Sequence, residues 1–231
     1  MVLSCKGISK SFGFFFALKN ISFNLNSNSI LGVLGANGAG KTTLIKILSG
    51  ILRPNKGEIS INGMPFDTNS GEIRKKLGII TDQSFLYYEL TIYENLKFYE
   101  NLFNIFDKDE IKKNIERYTK LFNIYDWVDE PIRNLSTGMK RKVELIRAII
   151  HNPQILMLDE LFTGLDFKST NILLDLIEEL KEKNKISLVI TTHNISLASK
   201  LCDELIVLKR GKINKSLKKD EFEEFNIESY Y

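Results

Sequence analysis

Residues 29–51 read SILGVLGANGAGKTTLIKILSGI, and three kinds of local order follow one another in them. "SILGVLG" (29–35) is a near-continuous apolar run, which predicts a buried strand. "GANGAGKTT" (35–43) matches G-x-x-x-x-G-K-[ST]. Leu44, Ile47, Leu48 and Ile51 then recur at i, i+3, i+4 and i+7, which predicts a helix with one apolar face. Strand, glycine turn and helix in that order form the setting the motif requires. Gly35, Gly38 and Gly40 let the backbone bend until successive N–H groups point inward at a chain of phosphates. The helix start adds partial positive charge. Lys41 reaches the β- and γ-phosphates, and the Thr42 hydroxyl is a ligand for Mg²⁺. The plain alternative, a glycine turn that holds nothing, does not account for motif and context together.

Further apolar runs stand at "KLGIIT" (76–81), "QILMLDE" (154–160), "ISLVITTH" (186–193) and "ELIVLKR" (204–210). Such runs suit strands covered on both faces, so an α/β fold with a mostly parallel sheet is expected. Residues 1–29 read as two strands of an added antiparallel sheet. From about Ser84 to Asn152 no strand pattern occurs, and Ile111, Ile115, Tyr118, Phe122 and then Met139, Val143, Ile146, Ile150 follow helical spacing. That stretch predicts a helical lobe inserted at about 84–152 into one domain spanning 1–231. Trp127 is expected in the core of the lobe.

The chain has 231 residues, 43% hydrophobic and 26% charged, with a net charge of +3. Its size allows a full core, and its charge is too small to make nucleic acid the main partner. Cys5 and Cys202 stand far apart without metal-ligand neighbours, which predicts two buried thiols rather than a disulfide. No apolar run reaches the roughly 18 residues that span a bilayer. "FGFFFAL" (12–18) lacks a cleavage pattern, so no signal segment is expected. The tail 218–231 is short for a regulatory domain.

Asp159 ends the apolar strand "ILMLD", at the end where open α/β sheets bind ligands, and can hold Mg²⁺ through water. Glu160 follows as a candidate general base for an attacking water. Read plainly, it is a surface acid at a strand end. His193 ends "VITTH" and is either a cap or a phosphate contact on spacing alone. His151, expected in a loop, is assigned no role. "LSTGMKRKVEL" (135–145) sets Lys140, Arg141 and Lys142 near the positive end of a helix dipole, where like charge is unfavourable by roughly 0.3–1 kcal/mol per exposed group.

Taken in order, these motifs resemble the ATP-binding subunits of ABC transporters, over nearly the whole chain. The loop GANGAGKT, Gln83 after "GIITD", LSTGM at 135–139 in place of the family's LSGGQ, "ILMLDE", "TGLD" ending at Asp166, and His193 follow one another as in that family. The resemblance implies ATP and Mg²⁺ as cofactors. It implies a nucleotide-binding set of Phe12 (under the adenine), Gly35, Ala36, Asn37, Gly38, Ala39, Gly40, Lys41, Thr42 and Thr43. Glu160, His193 and Gln83 become catalytic, and Thr42, Gln83 and Asp159 serve the metal. Two subunits would pair head to tail. Leu135, Ser136, Thr137, Gly138 and Met139 would then act on the partner's ATP, with Ser136 and the Gly138 N–H donating to its γ-phosphate, and Asp166 would lie across the interface. On that account the three cations after the signature await a polyanion; a solvated basic face is the alternative.

The departures are Thr137 and Met139 for a glycine and a glutamine, and Leu161 for the proline that usually follows the glutamate. This signature resembles the ABC-2 exporter branch. The implied partners are a second ATP-binding subunit, a homodimer being the expectation, and separate polytopic permease subunits. Phe85, Tyr87 and Tyr88, after the glutamine loop, are core residues or a permease-docking groove. The implied location is cytoplasmic, peripheral on the cell membrane. The rivals are a soluble ABC-type ATPase in translation or DNA repair, a small-molecule kinase that would not need LSTGM, and a binding module without turnover, against which Lys41 and Glu160 argue.

Overall fold

The computed structural model describes residues 1–66 and 71–222. The tail residues 223–231 lie outside them. Two sheets organise the chain. β1 (Leu3–Phe12) and β2 (Phe15–Leu25) form an antiparallel hairpin, and β4 (Lys56–Ile61) and β5 (Met64–Pro65) extend it to the order β2-β1-β4-β5. The second sheet contains β3 (Ile30–Leu34), β6 (Leu77–Ile80), β7 (Ile155–Asp159), β8 (Ser187–Thr192), β9 (Glu204–Lys209) and β10 (Lys212–Lys218), ordered β10-β9-β3-β8-β7-β6. It is parallel except for β10, which pairs antiparallel with β9.

Side chains alternate across a strand, so each apolar run feeds two cores. Leu156, Leu158, Leu188 and Ile190 face the helical lobe. Ile155, Met157 and Val189 face α1 (Lys41–Leu48) and the N-terminal sheet. The lobe lies between β6 and β7 in sequence, as expected, with α3 (Ile92–Leu102), α4 (Lys108–Leu121) and α5 (Thr137–Ile149). Ile111, Ile115, Tyr118 and Phe122 are buried there, as their spacing predicts. Both cysteines are free and buried, and burial pushes each thiol up to about 12.

Four expectations change. β4, β5 and β10 were not anticipated, because strands such as KINKSLK bury one side chain in several and lack an apolar run. The helix α6 (Phe167–Asn184) was not anticipated either, nor the short α2 (Gly71–Arg74); the short α7 (Ile195–Leu201) follows the strand-to-helix turn at His193. Ile51 does not share the apolar face of α1: the helix ends at Leu48, Gly50 takes φ +73°, and Ile51 is exposed. Trp127 is not core of the lobe; it sits in a single 3₁₀ turn and is half-exposed.

Candidate functional site

The phosphate loop crosses from the C-terminal end of β3 to the start of α1. Gly40 caps α1 in the left-handed region at φ +111°, and a Cβ there would lie 2.6 Å from the Ala17 carbonyl oxygen. Only glycine fits, on backbone conformation and on space. Gly38 is also left-handed (φ +80°), with open space where a Cβ would be, so its constraint is conformational alone. The Lys41 side chain is buried and donates to Gly35 O at 2.6 Å and Ala36 O at 3.3 Å. Its Nζ also lies 3.2 Å from Glu160 Oε1.

Asp159 and Glu160 stand side by side at the end of β7. Asp159 is buried and accepts a hydrogen bond from Thr191 Oγ1 on β8. The same hydroxyl accepts from the Glu160 N–H at 3.1 Å. Thr191 therefore orients both acids, a role the sequence alone did not reveal; its one signal was a hydroxyl two residues before His193. Glu160 is left-handed at φ +49°, a strained backbone for a non-glycine residue of the kind that persists where surrounding contacts fix it. Its Oε2 accepts from Thr163 Oγ1 at 3.2 Å and lies 3.0 Å from His193 Nδ1. Lys41, Glu160 and His193 thus stand in one chain of contacts across the ends of three elements.

A cleft of about 270 Å³ joins Phe12, Phe15 and Ala17 to Asn37, Gly38, Gly40, Lys41, Thr42, Thr43 and Glu160. Phe12 and Phe15 are register partners across the hairpin turn, so both rings sit on one face; Phe15 was not anticipated. Gln83 does not line this cleft. It is exposed, its backbone N–H bonded to Thr81 Oγ1 at 3.2 Å.

The signature residues lie outside the cleft as well. Ser136 caps α5, its Oγ accepting from the Met139 N–H at 3.3 Å, and Ser136 and Thr137 are exposed. Met139 turns inward against the lobe core, and Leu135 is buried. Gly138 abuts the start of α6: a Cβ would lie 3.1 Å from Ser169 Oγ. Asp166 caps α6 by accepting from the Ser169 N–H at 2.7 Å, and the Ser169 bonds hold its carboxyl below the ordinary range. The three cations after the signature each have a partner within the chain. Lys140 lies over the Tyr88 ring, Arg141 pairs with Glu144 at 2.7 Å, and Lys142 donates to Phe122 O at 2.8 Å. Phe85, Tyr87 and Tyr88 are all half-exposed.

The family model described as ABC transporter matches residues 18–163. An uncharacterised ABC transporter ATP-binding protein of Methanocaldococcus jannaschii is 36% identical over 210 residues, covering 91% of this chain and 75% of that protein. The Nod factor export ATP-binding protein I of Rhizobium sp. is 34% identical, covering 92% of this chain and 69% of that protein. A dimeric ATP-binding cassette solved in a post-hydrolysis state with ADP and Pi matches with a TM-score of 0.85 at 25% identity, over 94% of this chain and 98% of that one. With the phosphate loop, the paired acids and the helical lobe in that family's arrangement, the chain belongs to the ABC transporter ATP-binding proteins.

Proposed function

We propose that this ATP-hydrolysing cassette works as a pair of subunits enclosing two ATP molecules, and that the pair drives export through separate membrane subunits. The observation that carries the reading is the separation of two half-sites. Lys41 and Glu160 line one cleft, with His193 in contact with Glu160, while the exposed Ser136–Thr137 turn does not line it, which fits a turn that serves a nucleotide brought by another molecule. The signature variant LSTGM and the relative named for Nod factor export support the direction of transport. Among the described residues no helix is long and apolar enough to cross a membrane, which fits a membrane passage built by other chains, with this one peripheral on the cytoplasmic face.

The residues act as follows. The phosphate loop N–H groups and Lys41 hold the polyphosphate, which competes with Glu160 and the loop carbonyls for the ammonium. Glu160 takes a proton from the attacking water as its oxygen bonds to the γ-phosphorus and the bond to the ADP oxygen breaks. His193 Nδ1–H holds the carboxylate by the 3.0 Å contact. The Thr42 hydroxyl and the Asp159 carboxylate are hard oxygen donors that fit Mg²⁺, which when bound neutralises phosphate charge. Phe12 and Phe15 offer a face for the base. Gln83, Asp166 and Ser136–Gly138 complete the site in the closed pair. Phe85, Tyr87 and Tyr88 lie on the surface that receives the permease.

Glu160→Gln keeps the shape and removes the base, so it should trap the pair. Size-exclusion chromatography with Mg²⁺ and ATP is expected to show a dimer; a monomer at all ATP concentrations defeats the composite site.

A further inference from the structure

The glutamine segment and the signature helix are built on one strand. Among the described residues β6 is the outer strand of its sheet, paired with β7 alone. The Lys76 carbonyl accepts from Ile155 N–H on the β7 side, and strand carbonyls alternate, so those of Leu77 and Ile79 face away from the sheet. Both are bonded by side chains at the end of the signature helix, one from its last turn and one from the turn just beyond it. Arg147 Nη2 donates to Ile79 O at 2.6 Å, and His151 Nε2 donates to Leu77 O at 3.0 Å. Between them, a Cβ on Gly78 would lie 2.1 Å from Ala148 O, which puts helix and strand in backbone contact.

β6 runs directly into the segment that carries Gln83. The Arg147 guanidinium stands 5.4 Å from the Phe85 ring centre and 5.2 Å from that of Tyr99, and the Tyr99 hydroxyl donates to Phe85 O. His151 stacks on Phe103 at 3.7 Å and 5°, tying α3 to the same edge. At its other end, about 15 Å along the axis from Arg147, the same helix begins with Thr137, followed by Gly138.

We propose that Arg147 is a positioning residue that locks the glutamine segment and the signature helix into one body, so that seating Gln83 at a protomer's own nucleotide aligns its signature turn for the partner's. The guanidinium suits this because a planar cation can bond the strand carbonyl while lying near two aromatic rings. The proposal rests on the composite-site reading above.

The test uses the full chain carrying Glu160→Gln, with three readouts: ATP affinity at a concentration where the chain is monomeric, the ATP-driven dimer Kd by sedimentation, and the thermal midpoint. Arg147→Met is expected to leave ATP affinity within about twofold and to weaken dimerisation by about tenfold or more, the scale of one charge-assisted hydrogen bond. Arg147→Lys keeps the cation and one donor and should fall between. An unchanged dimer Kd in Arg147→Met, or a parallel fall in monomer ATP affinity, overturns the proposal. If Arg147→Met does not fold, Arg147→Lys decides, and a dimer Kd equal to that of its parent overturns it. Failure of the Glu160→Gln parent itself to dimerise defeats the composite site, and this proposal with it.

Discussion

Gly40 shows how little freedom the phosphate loop has. Its φ of +111° and the 2.6 Å that would separate a Cβ from the Ala17 carbonyl oxygen act together, and backbone cannot yield as a side-chain end can. Gly40→Ala should therefore lower stability by about 2 kcal/mol or more and lower the thermal midpoint by several degrees in a melting curve. Lys41→Ala removes the cation of the cradle, and ATP binding by equilibrium titration should fall by about a hundredfold or more; unchanged affinity would remove the phosphate-loop assignment. These residues were legible because the motif is local: spacing along the chain fixes spacing in space. Thr191 was not legible, because it reaches Asp159 and Glu160 from the neighbouring strand, and only the sheet register makes it their neighbour.

Among the elements, the lobe hides a titrating group. Glu100 on α3 is fully buried, Asn114 donates to its Oε1 at 3.0 Å, and its Oε2 has no hydrogen-bond partner among the described residues. Burial, with Glu110 nearby, pushes its carboxyl up to about 7. Between the ordinary value of 4.5 and about 7 the folded chain holds a proton that the unfolded chain has lost, so stability falls as pH rises through that window. Glu100→Gln removes this pH dependence. Its stability should match the wild type at pH 4.5 and exceed it at pH 8 by on the order of 1 kcal/mol in paired denaturant titrations. His151 titrates in the opposite sense, its imidazole pushed down to about 4 by burial, and it cancels in the comparison of the two proteins. Strands and helices with continuous apolar runs or strict 3.6-residue spacing could be read from the sequence. β4, β5 and β10 could not, since their apolar content is set by the one face that the fold happens to cover.

At the scale of the whole molecule, on the proposed reading, each chain presents half of two sites. Lys41 and Glu160 line one cleft, with His193 touching Glu160, and the Ser136 cap at the head of α5 does not line that cleft. Hydrolysis per chain should therefore fall on dilution below the dimer Kd, and affinity capture from detergent-solubilised membranes should bring down a polytopic protein. The order of motifs made this architecture legible in outline. The bonding of the three cations after the signature was not, because their partners Tyr88, Glu144 and Phe122 lie on different segments of the lobe. The most direct measurement of the shared site is a thiol cross-link. In the Glu160→Gln background, chains carrying only Asn37→Cys are mixed with chains carrying only Ser136→Cys and treated with a short bifunctional reagent; the native thiols, Cys5 and Cys202, are buried. A covalent dimer that forms with ATP and Mg²⁺ and not without them is the predicted result, and a mixture that stays uncross-linked at saturating ATP would contradict the account.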